Sequence, residues 1–183
     1  RTHLFSVRPT PTEHRVAEQA EIFLRERGIP IHIGHSADNV TDDISFVIRT
    51  AAVHDDNPEV HEAHRRGIPV FERTQAWGAI MKDYRNSLCI AGTHGKTTTT
   101  SMCTHILMAA ERDPTVMIGG TLPLLKACHR VGKGNTIIME SCEYYNSFLA
   151  LNPTIAVVLN IEADHLDFFK DLEDIKHSFR CFA

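Results

Sequence analysis

Between the apolar run Leu88-Cys89-Ile90-Ala91 and a helix-patterned stretch from Thr98 to Ala110 lies Gly92-Thr93-His94-Gly95-Lys96-Thr97. Two glycines let the backbone turn so that successive N–H groups converge on one concavity, a shape that suits phosphate oxygens. The helix N-terminus adds partial positive charge at the same place. Lys96 is placed to reach the outer phosphates and the Thr97 hydroxyl to ligate Mg²⁺. The familiar phosphate-loop spacing has four residues between its glycines and would need glycine at position 90, where this chain has Ile90. The loop is two residues shorter. Read alone, it also fits a plain glycine turn, with Thr97 as a helix cap and Lys96 in solvent. The strand before it and the helix after it favour a bound nucleoside triphosphate.

A chain of 183 residues has enough length for one large core or two small ones. Its 43% hydrophobic and 23% charged residues are those of a soluble globular protein. A formal net charge of -4 argues against a nucleic-acid or anionic-membrane partner held mainly by charge. No apolar run approaches the roughly 20 residues of a membrane span. Arg1 opens no signal-peptide pattern, and the missing initiating Met points to a fragment or a processed chain. Cys89, Cys103, Cys128, Cys142 and Cys181 form an odd set without a C-x-x-C pair. Free thiols in a reducing cytoplasm fit that set better than disulfides or a zinc site. Histidines such as His61, His64 and His105 fall at helix-like positions and read as surface or packing residues.

Two α/β segments follow one another. Thr10-Pro11-Thr12-Glu13 reads as a capping box, Val16, Ala20, Phe23 and Leu24 as one apolar helical face, and Gly28 as its stop. Strands are predicted at Ile31 to Ile33 and Ile44 to Val53. A helix is predicted from Asn57-Pro58-Glu59 to Gly67, and a strand at Ile68 to Phe71. After a helix containing Trp77, Ile80 and Met81, the polar stretch Lys82 to Ser87 marks a domain boundary. Beyond the glycine loop and its helix, strands are predicted at Val116 to Ile118, Thr136 to Met139 and Ile155 to Leu159, and a last amphipathic helix from Leu172. Such alternation indicates a parallel sheet covered on both faces.

In open parallel sheets, ligands gather beyond the carboxyl ends of the strands. Glu140 directly follows Ile137-Ile138-Met139, and Asn160, Glu162, Asp164 and His165 follow the next strand in the same manner. Both groups can therefore face the loop that carries Lys96. A carboxylate and an imidazole beside a triphosphate suit a magnesium ion. Spacing alone equally allows Glu140 and Glu143 to be solvated and His165 to pack or cap a turn.

Four blocks carry a family resemblance. Ala91-Gly92-Thr93-His94-Gly95-Lys96-Thr97-Thr98-Thr99-Thr100-Ser101-Met102 resembles the ATP loop of the Mur ligases. Thr50 to Glu59 with Gly67-Ile68-Pro69-Val70, Glu140-Ser141-Cys142-Glu143-Tyr144 with Ser147-Phe148-Leu149, and Asn160 to Asp167 agree with it, in family order along nearly the whole chain. The blocks are most similar to the branch that joins L-alanine to UDP-N-acetylmuramate.

The resemblance implies an ATP-dependent, peptide-bond-forming ligase of cell-wall synthesis that works through an acyl phosphate. It implies a Rossmann-like parallel-sheet segment at 1–85 for the UDP-linked substrate and a P-loop-type ATPase segment at 86–183, both incomplete. On this chain it places ATP against Gly92, Thr93, His94, Gly95, Lys96, Thr97 and Thr98, with Lys96 the phosphate lysine. Magnesium falls to Thr97, Glu140 and His165, so that Lys96, Glu140 and His165 form the catalytic set. His35, Thr50, Ala51, His54 and Asn57 face the uridine nucleotide, although Asn57 also reads as the cap of the helix that Pro58 begins. Asn160 and Asp164 are equally explained as turn formers. Nothing before Arg1 supplies the family's first strand and glycine-rich loop, and nothing after Ala183 its third domain. A ligase that recycles UDP-linked muramyl tripeptide and a non-catalytic nucleotide-binding module are the rival readings.

Overall fold

The computed structural model describes residues 4–5, 24–50 and 52–183. The chain divides into two compact units, Arg1–Arg73 and Thr74–Ala183. The helix predicted from the capping box at Thr10, with Val16, Ala20 and Phe23, lies outside the described residues.

In the first unit, helical backbone at Leu24 and Arg25 stops at Gly28, whose φ is 66°. The Gly28 N–H donates to Arg25 O (2.9 Å) and the Ile29 N–H to Leu24 O (3.0 Å), the paired bonds of a Schellman close. Strand β1 (Leu4–Phe5) pairs in parallel with β2 (Ile31–His32), and β3 (Val47–Arg49) with β4 (Val70–Glu72). Both ladders are parallel, as predicted for this segment; among the described residues they are separate, and β3 is far shorter than Ile44 to Val53. The Ile44 N–H closes a turn on Thr41 O and the Val53 N–H one on Thr50 O, so both ends of that apolar run are spent on turns. Helix α1 (Pro58–Arg65) has Asn57 as its cap, Pro58 in its first turn and Gly67 beyond its end at φ 69°. Val40, Ile44, Val47 and Ala63 form the buried core, with Ile68 and Val70 against it.

In the second unit, α2 (Arg73–Met81) leads into a five-stranded sheet of order β7-β6-β8-β5-β9. Its strands are β5 (Asn86–Ala91), β6 (Thr115–Leu122), β7 (Ala127–Arg130), β8 (Thr136–Glu140) and β9 (Ile155–Val158). β5 lies parallel between β8 and β9, β6 is parallel to β8, and β7 is antiparallel to β6. Sequence reading gives no β7 and a β6 of three residues. The chain reverses after Leu122, with Lys126 at φ 53° and its N–H on Leu122 O (2.9 Å), so β6 extends into a hairpin and the edge strand runs backwards.

Alternation along the central strands explains both layers. Cys89 and Ala91 of β5 and Ile137 and Met139 of β8 join Phe148 and the Ile175, Phe179 and Phe182 of α4 (Leu172–Phe182) in one core. Phe148 stacks on Phe182 (centroids 4.6 Å apart) and meets Phe179 edge-on. Ile90 and Ile138 are also fully buried, on the opposite face, where α3 (Lys96–Ala109) packs. Strands covered on both faces need the unbroken apolar runs seen in this sequence. On α3, Thr100 and Thr104 are buried, and their hydroxyls donate to Lys96 O and Thr100 O within the helix (both 2.8 Å).

Candidate functional site

Because β5 is central and parallel to both neighbours, the loops after β5, β8 and β9 leave the same edge of the sheet. The loop after β5 turns at Gly92, φ 141°, where a Cβ would meet Leu159 Cβ at 3.1 Å and the Asn160 backbone at 3.2 Å. Gly95 then caps α3 in the left-handed region (φ 84°, ψ 0°) without a side-chain bond. That conformation starts the helix at Lys96, two residues ahead of the predicted Thr98, with the Thr99 N–H on Gly95 O (2.9 Å). The N–H groups from Gly95 to Thr98 thus have neither an i−4 partner in the helix nor a capping side chain, the arrangement that receives anions.

Lys96 folds back over this loop. Its ammonium donates to Gly92 O (2.5 Å), Thr93 O (3.2 Å) and both oxygens of Glu143 (3.1 and 3.3 Å). Glu143 is 3% exposed and Lys96 15%, so this is an ion pair largely out of water. One helical position on, the Thr97 hydroxyl donates to Glu140 Oε1 (3.0 Å), while Glu140 Oε2 accepts the Gly119 N–H (2.7 Å). A Cβ at Gly119 would lie 2.6 Å from Glu140 Oε1, so glycine there leaves room for the carboxylate.

His165 has a left-handed backbone (φ 51°), and its N–H donates to Asp164 Oδ1 (2.7 Å). Its ring stacks on Tyr144 at 4.4 Å, and its Nε2 lies 4.0 Å from Glu143 Oε1. Tyr144 donates in turn to Asp167 Oδ2 (2.5 Å), which raises the phenol pKa and lowers that of the carboxyl. Of the three residues assigned to magnesium, the structure joins Thr97 to Glu140 directly and puts His165 against Glu143, with no ion pair between His165 and Glu140. The donor set fits that ion nonetheless. Magnesium takes one or two hard protein oxygens beside phosphate and water, and the Thr97 hydroxyl and Glu140 carboxylate are oxygens of that kind.

Asn160, for which sequence left a place at the site and a turn-forming role both open, grips the loop. Its Oδ1 accepts the His94 N–H (2.8 Å), its Nδ2 donates to His94 O (3.0 Å), and its main-chain oxygen accepts the Thr93 N–H (3.1 Å). The Thr93 hydroxyl accepts the Glu162 N–H (2.9 Å). Thr93 and His94 therefore offer no free N–H to a phosphate, and Gly95 to Thr98 do. Asp164 accepts the His165 N–H just ahead of the turn at 166–168.

In the first unit, His35 Nδ1 lies 2.9 Å from Glu59 Oε2, and Asn39 Nδ2 donates to Glu59 Oε1 (2.6 Å). Glu59 is 3% exposed, and its own N–H donates to the Asn57 side chain (2.9 Å). Asn57 thus acts as a cap, and its partner Glu59 holds His35 over the start of α1. Thr50 is half-buried and His54 exposed, in the turns after β3, and Ala51 lies outside the described residues. Sequence reasoning assigned neither Glu59 nor Glu143 to a site, and the solvated position it allowed Glu143 does not hold, because that carboxylate is buried against Lys96. Both stand within three residues of a position it named, and Glu143 is acidic close behind the apolar run Ile137-Ile138-Met139.

Against known families, residues 90–182 match the Mur ligase middle domain and residues 14–85 the Mur ligase family catalytic domain. The chain belongs to the Mur ligase family. Within this family, it is 51% identical over 156 residues to the UDP-N-acetylmuramate–L-alanine ligase of Lachnospira eligens, covering 85% of this chain and 34% of that protein. The ligase of the same name from Agathobacter rectalis is also 51% identical, over 87% of this chain and 35% of its own length. The chain spans about a third of the length of these curated relatives. Among solved Mur ligases, the UDP-N-acetylmuramate–alanine ligase MurC of Thermotoga maritima superposes with a TM-score of 0.82 at 31% identity, over 98% of this chain and 40% of that one. A Neisseria meningitides ligase for UDP-N-acetylmuramate and L-alanyl-γ-D-glutamyl-meso-diaminopimelate, 23% identical, shares the fold at a TM-score of 0.80, over 98% of this chain and 59% of its own.

Proposed function

We propose that this chain is the nucleotide- and UDP-substrate-binding part of an enzyme that joins L-alanine to UDP-N-acetylmuramate at the expense of ATP. The observation that carries the reading is the contact between Thr97 on the glycine loop and Glu140 at the end of β8, beside the half-buried Lys96 ammonium. The identity of 51% to two ligases of that name supports the choice of substrates.

In this reading the uncapped N–H groups of Gly95 to Thr98 hold the ATP phosphates, and Lys96 swings from Glu143 and the loop carbonyls toward the outer ones. A magnesium ion held by Thr97 and Glu140, with His165 nearby, would neutralise charge on the phosphates. A carboxylate oxygen of the substrate attacks the γ-phosphorus in line, and ADP leaves. The alanine amine then attacks the carbonyl carbon of the acyl phosphate. The C–N bond forms, the C–O bond to phosphate breaks, and the amine loses a proton. The chain's contribution to the first step is alignment and charge.

Residues 1–85 serve the UDP-linked substrate, with His35, Thr50, Ala51, His54 and Asn57 on its side, and residues 86–183 serve ATP. The family matches at 14–85 and 90–182 support that division. Use of ATP and five free cysteines fit the cytoplasm. Among the described residues, no helix is long and apolar enough to cross a membrane.

Product analysis on the protein from the complete reading frame tests the reading. With ATP and UDP-N-acetylmuramate it should add L-alanine, and a Lys96→Ala variant should not. Product only with the tripeptide would assign the recycling activity, and ATP binding without product a nucleotide-binding module.

A further inference from the structure

We infer that Asn160 is a positioning residue for the phosphate loop: its side-chain amide takes up the His94 N–H and its main-chain oxygen the Thr93 N–H, which fixes which main-chain N–H groups of residues 92–98 face the nucleotide. The inference rests on the reading of that loop as an ATP site. Asn160 meets His94 as a strand neighbour would, accepting its N–H at 2.8 Å and donating to its carbonyl at 3.0 Å. Its own carbonyl takes the Thr93 N–H at 3.1 Å, and the Thr93 hydroxyl takes the Glu162 N–H at 2.9 Å. Four bonds thus tie two successive loop residues to the segment after β9. A loop with glycine at both ends has the widest choice of backbone conformations and the most to lose on ordering. Gly92 also lies against this segment, where a Cβ would come within 3.2 Å of both Asn160 N and Asn160 O.

The chemical consequence is selective. With the Thr93 and His94 N–H groups turned into the protein, the loop presents Gly95, Lys96, Thr97 and Thr98, in line with the start of α3 and within reach of Glu140 through Thr97. An unclamped loop would spread its donors over both sides of the turn. The loop is two residues shorter than the usual pattern, and an external amide supplies the fixing that a longer loop can make for itself.

Nucleotide affinity and amide exchange of the chain carrying Asn160→Ala test this. The His94 amide should lose its protection from exchange. Affinity for ATP should fall about tenfold, a loss of about 1.4 kcal/mol, while affinity for AMP, which lacks the outer phosphates, holds. Thr93→Val should move ATP affinity in the same direction and Thr93→Ser restore it, which keeps the test open if Asn160→Ala folds poorly. Equal losses for ATP and AMP, or an unchanged His94 exchange rate in Asn160→Ala, would overturn the positioning role. Lys96→Ala is the control for the underlying reading. If it leaves ATP affinity intact, the loop is not a phosphate site at all, whereas a loss with Lys96→Ala and none with Asn160→Ala sinks the positioning role alone.

Discussion

Glu143 lies 3.1 Å from the Lys96 ammonium and is the more deeply buried of the two, so the loop lysine is held by a carboxylate that water barely reaches. Three residues before it, Glu140 takes the Thr97 hydroxyl. Adjacent side chains at the start of α3 are therefore matched to two carboxylates from the end of one strand. In the proposed function, a Lys96 that turned to a phosphate would give up this ion pair and leave Glu143 with His165 4.0 Å away.

Removing Glu143 leaves an ammonium mostly out of water with only loop carbonyls for company. Glu143→Ala should lower the unfolding free energy of the second unit by about 2–3 kcal/mol, at the low end for a broken buried pair because Lys96 retains some solvent contact. Glu143→Gln, which keeps an oxygen acceptor, should cost less. Urea unfolding followed by far-ultraviolet circular dichroism measures both, and equal stabilities for Glu143→Ala and the parent would show that the pair contributes nothing.

Glu140 should set the magnesium requirement. With Glu140→Ala, the magnesium concentration that half-restores ATP binding should rise about tenfold, the loss of one charged ligand to a weakly held ion. Gly119→Ala should act in the same direction, because its Cβ would displace Glu140 Oε1, 2.6 Å away, rather than backbone. Calorimetric titration of ATP at stepped magnesium concentrations reads both, and an unaltered requirement in Glu140→Ala would remove it from the metal site.

The sequence showed the strand–loop–helix unit, and the sheet rule rightly took Glu140 and His165 to the edge near Lys96. It did not show Glu143 beneath Lys96. The segment that carries it runs on into Tyr145 and Asn146, both left-handed at φ 54° and 55°. Asn146 is of a residue type that tolerates that region, but Tyr145 adopts it only where the surroundings hold it, and nothing in the local sequence announces that. The β6–β7 hairpin was hidden for a similar reason, since Lys126 rather than glycine makes its left-handed turn. Where the local signal was direct, as in Asn57-Pro58 ahead of α1 or Gly28 and Gly67 behind helices, the caps formed as written.

Gly78 is a site where function is not at stake and stability is. A Cβ there would fall 1.9 Å from Ala150 O, a main-chain atom, and Asn152 Nδ2 donates to the Gly78 carbonyl at 2.8 Å. Gly78→Ala should therefore gain nothing from its better helix propensity. It should cost about 3 kcal/mol through forced separation of α2 from residues 150–152, visible as a lower melting temperature. A rise in melting temperature would mean that the two segments are not packed this closely.

Acid should weaken the first unit through Glu62. Its carboxyl bonds to Arg65 (2.6 Å) and Arg66 (2.5 Å), and those hydrogen bonds, Arg65 first, hold its pKa at about 2 instead of 4.5. A depressed carboxyl pKa means that the folded state favours the ionised form. The contribution is complete above pH 4.5, where the unfolded chain is ionised as well, and is lost progressively as pH falls toward 2. Glu62→Gln removes the titrating group, so the variant should be less stable than the parent at neutral pH. The gap should narrow between pH 4.5 and 2, because only the parent still has this contribution to lose. Urea midpoints at stepped pH give the comparison, and a gap that stays constant over that range would mean that Glu62 titrates no differently folded than unfolded.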